Sequence, residues 1–397
     1  MHKKLSCFSV DKPIIGMLHL KGTDDQDVQE RAIREFSLYR DNGVDGVMVE
    51  TYFGTYRQAE RIQPAARIEE FQRPLAGPGL SERCSLGRRI LMEYIVAGYN
   101  MVTDIYYPDG RVIKSSPGGS FYAAAGIKLW RDNLAYVGTA GSDFQEFYGS
   151  FFDKNAIEIH VKACLSHTLR YDLIYADDGS WTEQCTYGEA YEAMAKDIGR
   201  LTPAMFAPLC GADTKGIYLE ASLSAKIADH LTELRALIPN GKLMWEINTE
   251  DLFDPARKEA ILQRIHEVDI YSVNLHEATA FFHQTTLAEV IQEIQRLGKP
   301  CFLRLGEEGA GLVTCEEAVF APPVDVAGSV DPTGCGNCST AASLIGFAEK
   351  LPAFDTVMMA NISAGFNAKQ IGPWPVVDSA VRSEAARLLA QARTAHV

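Results

Sequence analysis

The chain has 397 residues, of which 47% are hydrophobic and 23% are charged, and its formal net charge is −14 at pH 7. This size and composition are typical of a globular protein with one large domain and an extra segment, or with two domains. The negative charge argues against nucleic acid and anionic membranes as partners, because both bind basic surfaces.

The cysteines and the N-terminus indicate where the protein works. The nine cysteines are an odd number, and no apolar stretch approaches the roughly 18 residues of a membrane-spanning helix. Lys3 and Lys4 precede an apolar stretch that Asp11 and Lys12 interrupt, so we expect no secretory signal. The sequence therefore predicts reduced thiols and a cytoplasmic protein.

The first segment predicts a strand, a helix and a second strand. Residues 14–20 and 44–49 are apolar runs on either side of a helical pattern that ends at an Asn-Gly pair. The Pro- and Gly-rich stretch 73–79 favours neither helix nor strand, which is typical of a linker. We place the domain boundary near residue 85, between an N-terminal extension 1–85 and a main domain 86–397.

Two motifs of this extension, "IIGMLHLKG" and "NGVDGVMVETYFG", carry a resemblance. They resemble the opening of a TIM-barrel family related to a photosystem I biogenesis factor (BtpA-like). His19 and Glu50 would then lie where barrel strands end and where such folds carry out chemistry. A closed barrel needs eight strands, for which the extension has no room. We therefore interpret it as a structural or assembly appendage.

The main domain alternates strands and helices up to its C-terminus. Such alternation is typical of a mainly parallel sheet with helices on both faces. The stretch 169–187 departs from it and predicts two strands around a turn, either a flap over a site, a dimer contact or an idle surface hairpin. The predicted strands are 90–96, 134–138, 216–219, 242–246, 270–274, 301–305 and 311–314, and the clearest helices are 224–237, 255–266 and 287–297.

The first candidate site residues lie early in the main domain. Gly118 and Gly119 precede a run of small residues, which allows a helix N-terminus to approach a ligand or simply to pack tightly on the sheet. Asp104 follows the first strand in the sequence "GYNMVTDIYYPDG". A carboxylate at the carboxyl edge of a parallel strand can accept hydrogen bonds from substrate hydroxyls, although a solvated loop aspartate fits the sequence equally well.

Asn274 and Glu277 lie in "SVNLHEATAFF", just after a strand. A spacing of three residues places both side chains on one helical face, where their oxygens could serve Mg²⁺ through water. The same spacing fits a capping box, in which the two residues close the start of a helix. The sequence leaves both interpretations open.

Later glycines frame two further turns. In "FLRLGEEGAGLV", Gly306 and Gly309 mark a turn between strands, which is either a plain hairpin or a turn beside a nucleotide whose phosphates Arg304 would attract. In "DPTGCGNC", Gly334 and Gly336 flank a bend before a small-residue helix. Backbone amides and the positive end of a helix can converge there on a phosphate or a developing anion.

Taken in order, these pieces resemble the PfkB carbohydrate kinase (ribokinase-like) family. The resemblance covers about residues 88–390 and rests on several collinear motifs, which is far more specific than any single one. It implies a three-layer α/β sandwich with a small β-flap. The motifs are "PGGSFYAAAGIKLW", "AYVGTAGSDFQEFYGSFF", "CTYGEA", the N-x-x-E pair, "LRLGEEGAGLV", "DPTGCGN" and "ANISAGFNAKQIGPWP".

The resemblance also implies an activity and a role for each matching residue. In this family a sugar or nucleoside hydroxyl attacks the γ-phosphate of ATP in the presence of Mg²⁺. The implied roles are substrate binding by Asp104, Gly118 and Gly119; Mg²⁺ and phosphate orientation by Asn274 and Glu277; stabilisation of the transferring group by the amides of Gly334, Cys335 and Gly336; nucleotide contacts by Arg304, Gly306, Gly309 and Asn361; and a K⁺ site at Asp331 and Thr333.

One position departs from the family pattern. The motif ordinarily ends in an aspartate that takes the proton from the attacking hydroxyl, and this chain has Asn337 there, which lacks that basicity. Our main hypothesis is ATP-dependent phosphoryl transfer to a small sugar- or nucleoside-like substrate. The alternatives are a nucleotide- or metabolite-binding protein with weak catalysis, and a redox role for Cys335-x-x-Cys338. The family also suggests a homodimer.

Overall fold

The computed structural model describes residues 15–20, 46–51, 91–177, 181–324 and 328–396. The chain divides into two units, Met1–Arg88 and Arg89–Val397. In the first unit, strands β1 (Ile15–Leu20) and β2 (Gly46–Thr51) pair in parallel, with His19 opposite Glu50. Both strands agree with the predicted ones, whereas the expected helix and linker lie outside the described residues.

The second unit is built around two sheets. Its strands are β3 (Tyr94–Ala97), β4 (Asn100–Tyr106), β5 (Val112–Gly119), β6 (Leu134–Gly141), β7 (Glu158–Leu165), β8 (Leu169–Tyr175), β9 (Trp181–Cys185), β10 (Gly216–Ala221), β11 (Lys242–Ile247), β12 (Ile270–Asn274), β13 (Cys301–Arg304), β14 (Ala310–Val313) and β15 (Ala318–Ala321).

The large sheet has nine strands in the order β7-β6-β3-β10-β11-β12-β13-β14-β15. From β7 to β13 all neighbours are parallel, and the pairs β13–β14 and β14–β15 are antiparallel. The smaller sheet has the order β5-β4-β8-β9. The predicted hairpin is therefore real, and its strands β8 and β9 form half of a four-stranded flap. Homodimer formation through this flap stays a prediction.

Helices cover the large sheet on both faces. They are α1 (Phe121–Lys128), α2 (Ser150–Lys154), α3 (Glu189–Ile198), α4 (Pro203–Phe206), α5 (Leu231–Leu237), α6 (Thr249–Phe253), α7 (Lys258–Ile265), α8 (Leu275–Phe282), α9 (Leu287–Leu297), α10 (Cys335–Ala348), α11 (Ala353–Asn367) and α12 (Ser379–His396). None of these helices is both long enough and apolar enough to cross a membrane.

The alternation of buried side chains along each strand separates two cores. Tyr94 and Val96 of β3 point toward α1, α10 and α11, whereas Ile95 and Ala97 point toward α4, α5 and α7 to α9. Successive side chains of a strand face opposite sides, so an apolar run of this kind suits a sheet that is buried on both faces. The predicted three-layer α/β class is confirmed.

Two predicted helices begin later than their sequence pattern indicates. The segment predicted as helix 224–237 starts with a 3₁₀ turn, Lys226–His230, before α5, and the segment 255–266 starts with a 3₁₀ turn, Pro255–Arg257, before α7. In the second case Pro255 has no amide hydrogen to donate. Proline is therefore suited to the first turn of a helical segment.

A cluster of charges fastens α10 to the amino edge of the large sheet. Glu349, at the end of α10, accepts hydrogen bonds from Tyr94 Oη at 3.0 Å, Arg131 Nε at 2.9 Å and Lys215 Nζ at 3.2 Å. Burial alone would raise the pKa of Glu349, but Arg131, Tyr94 and Lys215 outweigh it and hold the pKa at about 2. The folded state therefore favours the ionised carboxylate.

We expect Glu349→Gln to lower the free energy of unfolding by about 2–3 kcal/mol at neutral pH, since one pKa unit corresponds to about 1.4 kcal/mol. Because the folded-state pKa lies below the ordinary 4.5, this stabilisation is present above that value and is lost as the pH falls toward about 2. Urea unfolding of both proteins across this range measures it. A difference between wild type and variant that does not shrink on acidification would contradict the assignment.

Candidate active site

The candidate site lies where the strand order of the large sheet reverses. From β3 the chain passes through the flap strands to β6 and β7 on one side, and β10 to β13 follow on the other side. The connections after β3 and β10 therefore diverge and leave a crevice at the carboxyl ends of these strands. Ligands of open α/β sheets bind at such a switch point.

The N-terminus of α10 lies over this crevice. Gly334 has a left-handed φ of +77°, and a Cβ atom there would collide with the ring of Tyr122. Helix α10 makes its first backbone bond from Cys338 N to Gly334 O, and the amides of Gly336 and Asn337 have no acceptor among the described residues. Free amides and the helix dipole give this end a positive partial charge that suits an anion.

The expected set of anion-binding amides needs one correction. The Cys335 amide donates to the carbonyl oxygen of Pro332 at 3.1 Å and is therefore already used inside the loop. The amides of Gly336 and Asn337 remain available. The bend of the loop directs the Cys335 amide toward Pro332, which could not be predicted from the spacing of the residues.

Arg304 lies directly beneath this helix end. A Cβ atom on Gly336 would collide with Arg304 Nη1, so the guanidinium and the loop are in close contact. Arg304 Nη1 donates to Glu246 Oε1 at 2.9 Å, and Nη2 lies 3.5 Å from Glu277 Oε2. Its Nε is buried and has no partner among the described residues. The predicted positive charge is thus present, but it is already paired with two carboxylates.

A third carboxylate, Glu220, lies at the end of β10 beside Glu246 of β11. Ser120 Oγ donates to Glu220 Oε2 at 2.5 Å, and Tyr218 Oη donates to Glu246 Oε2 at 2.5 Å. Asn337 Nδ2 donates to Tyr218 Oη at 3.0 Å. The side chain of Asn337 therefore joins a hydrogen-bonded group at the strand ends rather than standing alone in the loop.

The ionisation of Glu220 is strongly perturbed. Burial and the neighbouring charge of Glu246 raise the pKa of Glu220 from 4.5 to about 7, although hydrogen bonds from Ser120 and Asn337 and the positive charge of Arg304 lower it in part. A carboxyl group with such a pKa is a good proton acceptor near neutral pH.

Asn274 and Glu277 form the capping box. Glu277 N donates to Asn274 Oδ1 at 2.8 Å, Asn274 N donates to Glu277 Oε2 at 2.7 Å, and Thr249 Oγ1 donates to Glu277 Oε1 at 2.7 Å. Glu277 is only 3% exposed. Both of its oxygens serve the start of α8 and its surroundings, so the capping interpretation is the one that the structure bears out.

Asp104 is not at the carboxyl edge of the large sheet, which corrects the expectation from its sequence context. It lies inside β4 of the flap, where its carboxylate accepts hydrogen bonds from Ser115 N, Lys114 Nζ and Arg170 Nη2 at 2.7–2.9 Å. Burial alone would raise the pKa of Asp104, but these three donors outweigh it, so the pKa lies below its ordinary value. The side chain ties the flap strands together.

Gly118 and Gly119 end β5 immediately before α1, as expected. Gly119 has a φ of +85°, and a Cβ atom there would collide with the carbonyl oxygen of Tyr99. The turn between flap and helix therefore requires glycine at this position. It also carries Ser120 to its hydrogen bond with Glu220, which places the diglycine beside the crevice.

The predicted nucleotide-binding residues Gly306, Gly309 and Asn361 make local scaffold contacts, and their contact with a nucleotide stays a prediction. Gly306 and Gly309 have positive φ values of +63° and +97° in the β13–β14 turn, which both alternatives require. Asn361 Nδ2 donates to the carbonyl oxygens of Ala321 and Pro322 and so anchors α11 to the end of β15.

Asp331 and Thr333 lie on the exposed loop before α10. Thr333 donates to Asp331 Oδ1 through both its amide and its hydroxyl, at 3.0 and 2.7 Å. Within the described part of the chain, no three or more His, Cys, Asp or Glu residues gather as a metal-binding group would. The K⁺ site at Asp331 and Thr333 stays a prediction.

The Cys335–Cys338 pair does not have the properties of a redox motif. Burial raises the pKa of Cys335, despite a hydrogen bond from Asn367, and raises that of Cys338 well above its ordinary value. A reactive cysteine needs a lowered pKa, because the thiolate is the nucleophile. These cysteines instead pack α10 against α11, which argues against the redox alternative.

The sequence analysis missed Glu220, Glu246, Tyr218 and Ser120. A signal was present for the two glutamates, because each lies near the end of a largely apolar strand, "GIYLEA" and "KLMWEI". An acidic residue at the end of a buried parallel strand is placed at the edge where ligands bind. Tyr218 and Ser120 carry no such signal.

An open parallel sheet with an anion-binding helix end at its switch point is the architecture of α/β proteins that bind phosphorylated ligands. A model of the pfkB family of carbohydrate kinases matches residues 110–378, more than half of the chain. The chain therefore belongs to the pfkB carbohydrate kinase family. None of the curated protein sequences matches it, and the resemblance expected for the N-terminal extension has no support from these comparisons.

Solved structures show the same fold at low sequence identity. Adenosine kinase from Sinorhizobium meliloti has a TM-score of 0.60 and 20% identity over 75% of this chain and 98% of its own. A proposed ribokinase II from E. coli, solved with ATP and Mg²⁺, has a TM-score of 0.60 and 16% identity over 76% of this chain and 100% of its own. A nucleoside kinase from Burkholderia thailandensis, solved with inosine, has a TM-score of 0.57 and 16% identity over 75% and 97%.

Proposed function

We propose that this protein transfers the γ-phosphoryl group of ATP to a hydroxyl of a small sugar- or nucleoside-like substrate. The observation that carries the proposal is the helix end over the switch point, where the amides of Gly336 and Asn337 are free among the described residues and the Arg304 guanidinium lies beneath them. Membership of the family and neighbours that act on or bind nucleosides support the same activity.

The chemistry of this helix end suits phosphoryl transfer. Negative charge accumulates on the transferring group, and the protein contributes mainly by positioning and electrostatic stabilisation. The two amides are fixed by α10 and need no reorganisation when the charge develops. Arg304 offsets part of the negative charge of Glu220, Glu246 and Glu277, which all lie nearby.

We place the substrate between the switch point and the flap. Gly118 and Gly119 lead from the flap into α1, and Ser120 lies against Glu220. In our proposal Asp104 organises the flap strands. It meets the substrate only if its partner Lys114 moves aside, and the Lys114 side chain has room to do so because it is 56% exposed. The flap would then close the site against water.

Mg²⁺ and K⁺ keep a limited place in this proposal. Mg²⁺ usually binds through substrate phosphates, water and one or two carboxylates. The oxygens of Asn274 and Glu277 accept hydrogen bonds within the capping box and from Thr249, so their contact with Mg²⁺ stays a prediction and no step is derived through them. Mg²⁺ would neutralise the phosphates of ATP, and K⁺ stays an expectation of the family resemblance at Asp331 and Thr333.

The alternative is a protein that binds ATP and a metabolite without efficient transfer. The observation that favours it is Asn337, whose amide donates to Tyr218 and cannot accept a proton as a carboxylate can. The two functions differ in one measurable step, because only a kinase moves the γ-phosphoryl group.

The test follows γ-³²P from labelled ATP to a panel of sugars and nucleosides, and to water as a universal acceptor, with and without Mg²⁺. We expect label on at least one hydroxyl compound. The transfer must disappear when Gly334 is replaced by alanine, which ties it to this loop and excludes a contaminating kinase. Tight ATP binding without transfer to any acceptor would establish the binding protein instead, and neither binding nor transfer would contradict both functions.

A further inference from the structure

A carboxylate lies close in space to position 337, where this chain has asparagine instead of the aspartate of the family motif. Asn337 lies in the first turn of α10, and its side chain reaches Tyr218 of β10 at 3.0 Å and is a hydrogen-bond donor to Glu220. Glu220 is two residues after Tyr218 on the same strand, so both side chains point to the same face of the sheet. A carboxylate therefore lies beside the loop, although it comes from another element.

We propose that Glu220 is the proton acceptor for the attacking hydroxyl, in the role that a carboxylate at position 337 would have; this inference rests on the proposed function. Glu220 is only partly buried and lies at the end of β10, next to the switch point. Asn337 then positions and polarises it, rather than acting on the substrate as a base.

The surroundings of Glu220 hold it in place. Ser120 Oγ donates to its Oε2 at 2.5 Å. Gly98, the residue after β3, has no room for a Cβ atom because that atom would collide with Ser120 Oγ and approach Glu220 Cβ to 2.9 Å. Glycine at position 98 therefore lets the loop after β3 pass closely by Ser120 and Glu220. Since Ser120 Oγ donates to Oε2, we assign the other carboxylate oxygen, Oε1, to the substrate hydroxyl.

The charges around Glu220 define when it can accept a proton. The groups that face it are Glu246 on β11, Arg304 on β13, and the hydroxyls of Tyr218, Tyr99 and Tyr136. Glu246 opposes ionisation and Arg304 favours it, whereas the tyrosines are neutral because burial raises their pKa values. The charge of Glu220 therefore changes near neutral pH.

The proton and electron balance of the step is simple. The O–H bond of the acceptor breaks and its proton passes to a carboxylate oxygen of Glu220. The acceptor oxygen bonds to the γ-phosphorus, and the bond from that phosphorus to the bridging oxygen breaks, so that its electron pair leaves on ADP. Glu220 ends the step as a neutral acid and returns its proton to water when the product leaves.

The experiment compares wild type, Glu220→Gln, Asn337→Asp and the double variant in the label-transfer assay, with ATP affinity measured by calorimetry. We expect Glu220→Gln to lower kcat by about 10²–10⁴-fold with little change in ATP affinity. We expect the double variant to regain at least about tenfold, since the aspartate introduced in the loop then supplies a carboxylate. Glu93→Gln is the matched control, because Glu93 pairs with Lys215 at the amino edge of the same sheet.

A pH profile separates a proton acceptor from a structural residue. Because the pKa of Glu220 is raised to about 7, wild-type kcat/KM should fall as the pH drops through that value and the carboxylate becomes protonated. This acid limb should be absent from Glu220→Gln. A residue that only maintained the fold would lower activity without removing the limb, which would overturn the inference.

The remaining outcomes distinguish the inference from the function on which it rests. A Glu220→Gln enzyme within about threefold of wild type, with the same acid limb, overturns the role of Glu220 and leaves the kinase standing. Silence in wild type with activity in Asn337→Asp also overturns it and supports the binding-protein alternative. Silence in every variant toward every acceptor, water included, contradicts the proposed function itself.

Discussion

Replacing Arg304 with methionine is expected to lower the free energy of unfolding by about 3–5 kcal/mol. Arg304 is 16% exposed at its side chain and lies between Glu246 and Glu277, which are 7% and 3% exposed. Without the guanidinium, two buried carboxylates would lack their counter-charge while the desolvation cost of each remained. Such an uncompensated buried charge costs far more than a broken surface pair.

Equilibrium unfolding in urea measures the loss, and Arg387→Met is the matched control. Arg387 pairs with Glu384 on α12, and the two side chains are 51% and 43% exposed. We expect the control to stay within about 0.5 kcal/mol of wild type, because exposed ion pairs contribute little. Adding Glu246→Gln to Arg304→Met should recover part of the loss, since it removes one orphaned charge. Equal losses for Arg304→Met and Arg387→Met would show that Arg304 is not the counter-charge of this site.

Replacing Gly334 with alanine is expected to abolish most of the label transfer, by about 100-fold or more. The residue has a left-handed φ of +77°, and its new Cβ atom would collide with the ring of Tyr122, which is 1% exposed and cannot move aside easily. The loop must therefore shift, and a displacement of about 1 Å is enough to misalign the amides of Gly336 and Asn337 with the transferring group.

Gly372 provides a control that separates backbone strain from collision. Gly372 has a φ of +81°, and a Cβ atom there would meet nothing within 4 Å. Gly372→Ala should cost only the strain of a left-handed alanine, about 1–2 kcal/mol of stability, and should leave transfer intact. If Gly334→Ala retained wild-type transfer and stability, the close packing of the loop on Tyr122 would be wrong.

Local sequence pattern was sufficient for much of the fold. Strand β12 and helix α9 have the predicted bounds, because alternation of apolar residues and the capping residue Thr286 act within a few neighbours. The position of Gly334 before a helix was predicted correctly for the same reason, whereas Gly336 lies inside the first turn of that helix. The collinear order of such motifs, rather than any single one, identified the family.

Contacts between distant residues could not be predicted in this way. Asp104 and Arg170 are 66 positions apart, and their ion pair exists because β4 pairs with β8 in the flap. Asn337 and Tyr218 are 119 positions apart and meet because α10 packs over the end of β10. Neither pairing leaves a trace in the spacing of residues, since strand order is set by packing of the whole domain.

The sequence by itself determined the α/β class and the loop that precedes α10, because these depend on hydrophobic periodicity and on glycines that a local turn requires. The family followed from the collinear order of the motifs. Only the tertiary structure decided which polar groups are free. In the folded protein Glu277 accepts hydrogen bonds in a capping box, Asp104 accepts them from flap residues, and Glu220 lies beside Asn337. A carboxylate keeps its basicity for chemistry only where folding leaves it without a counter-charge of its own, and that depends on neighbours far along the chain.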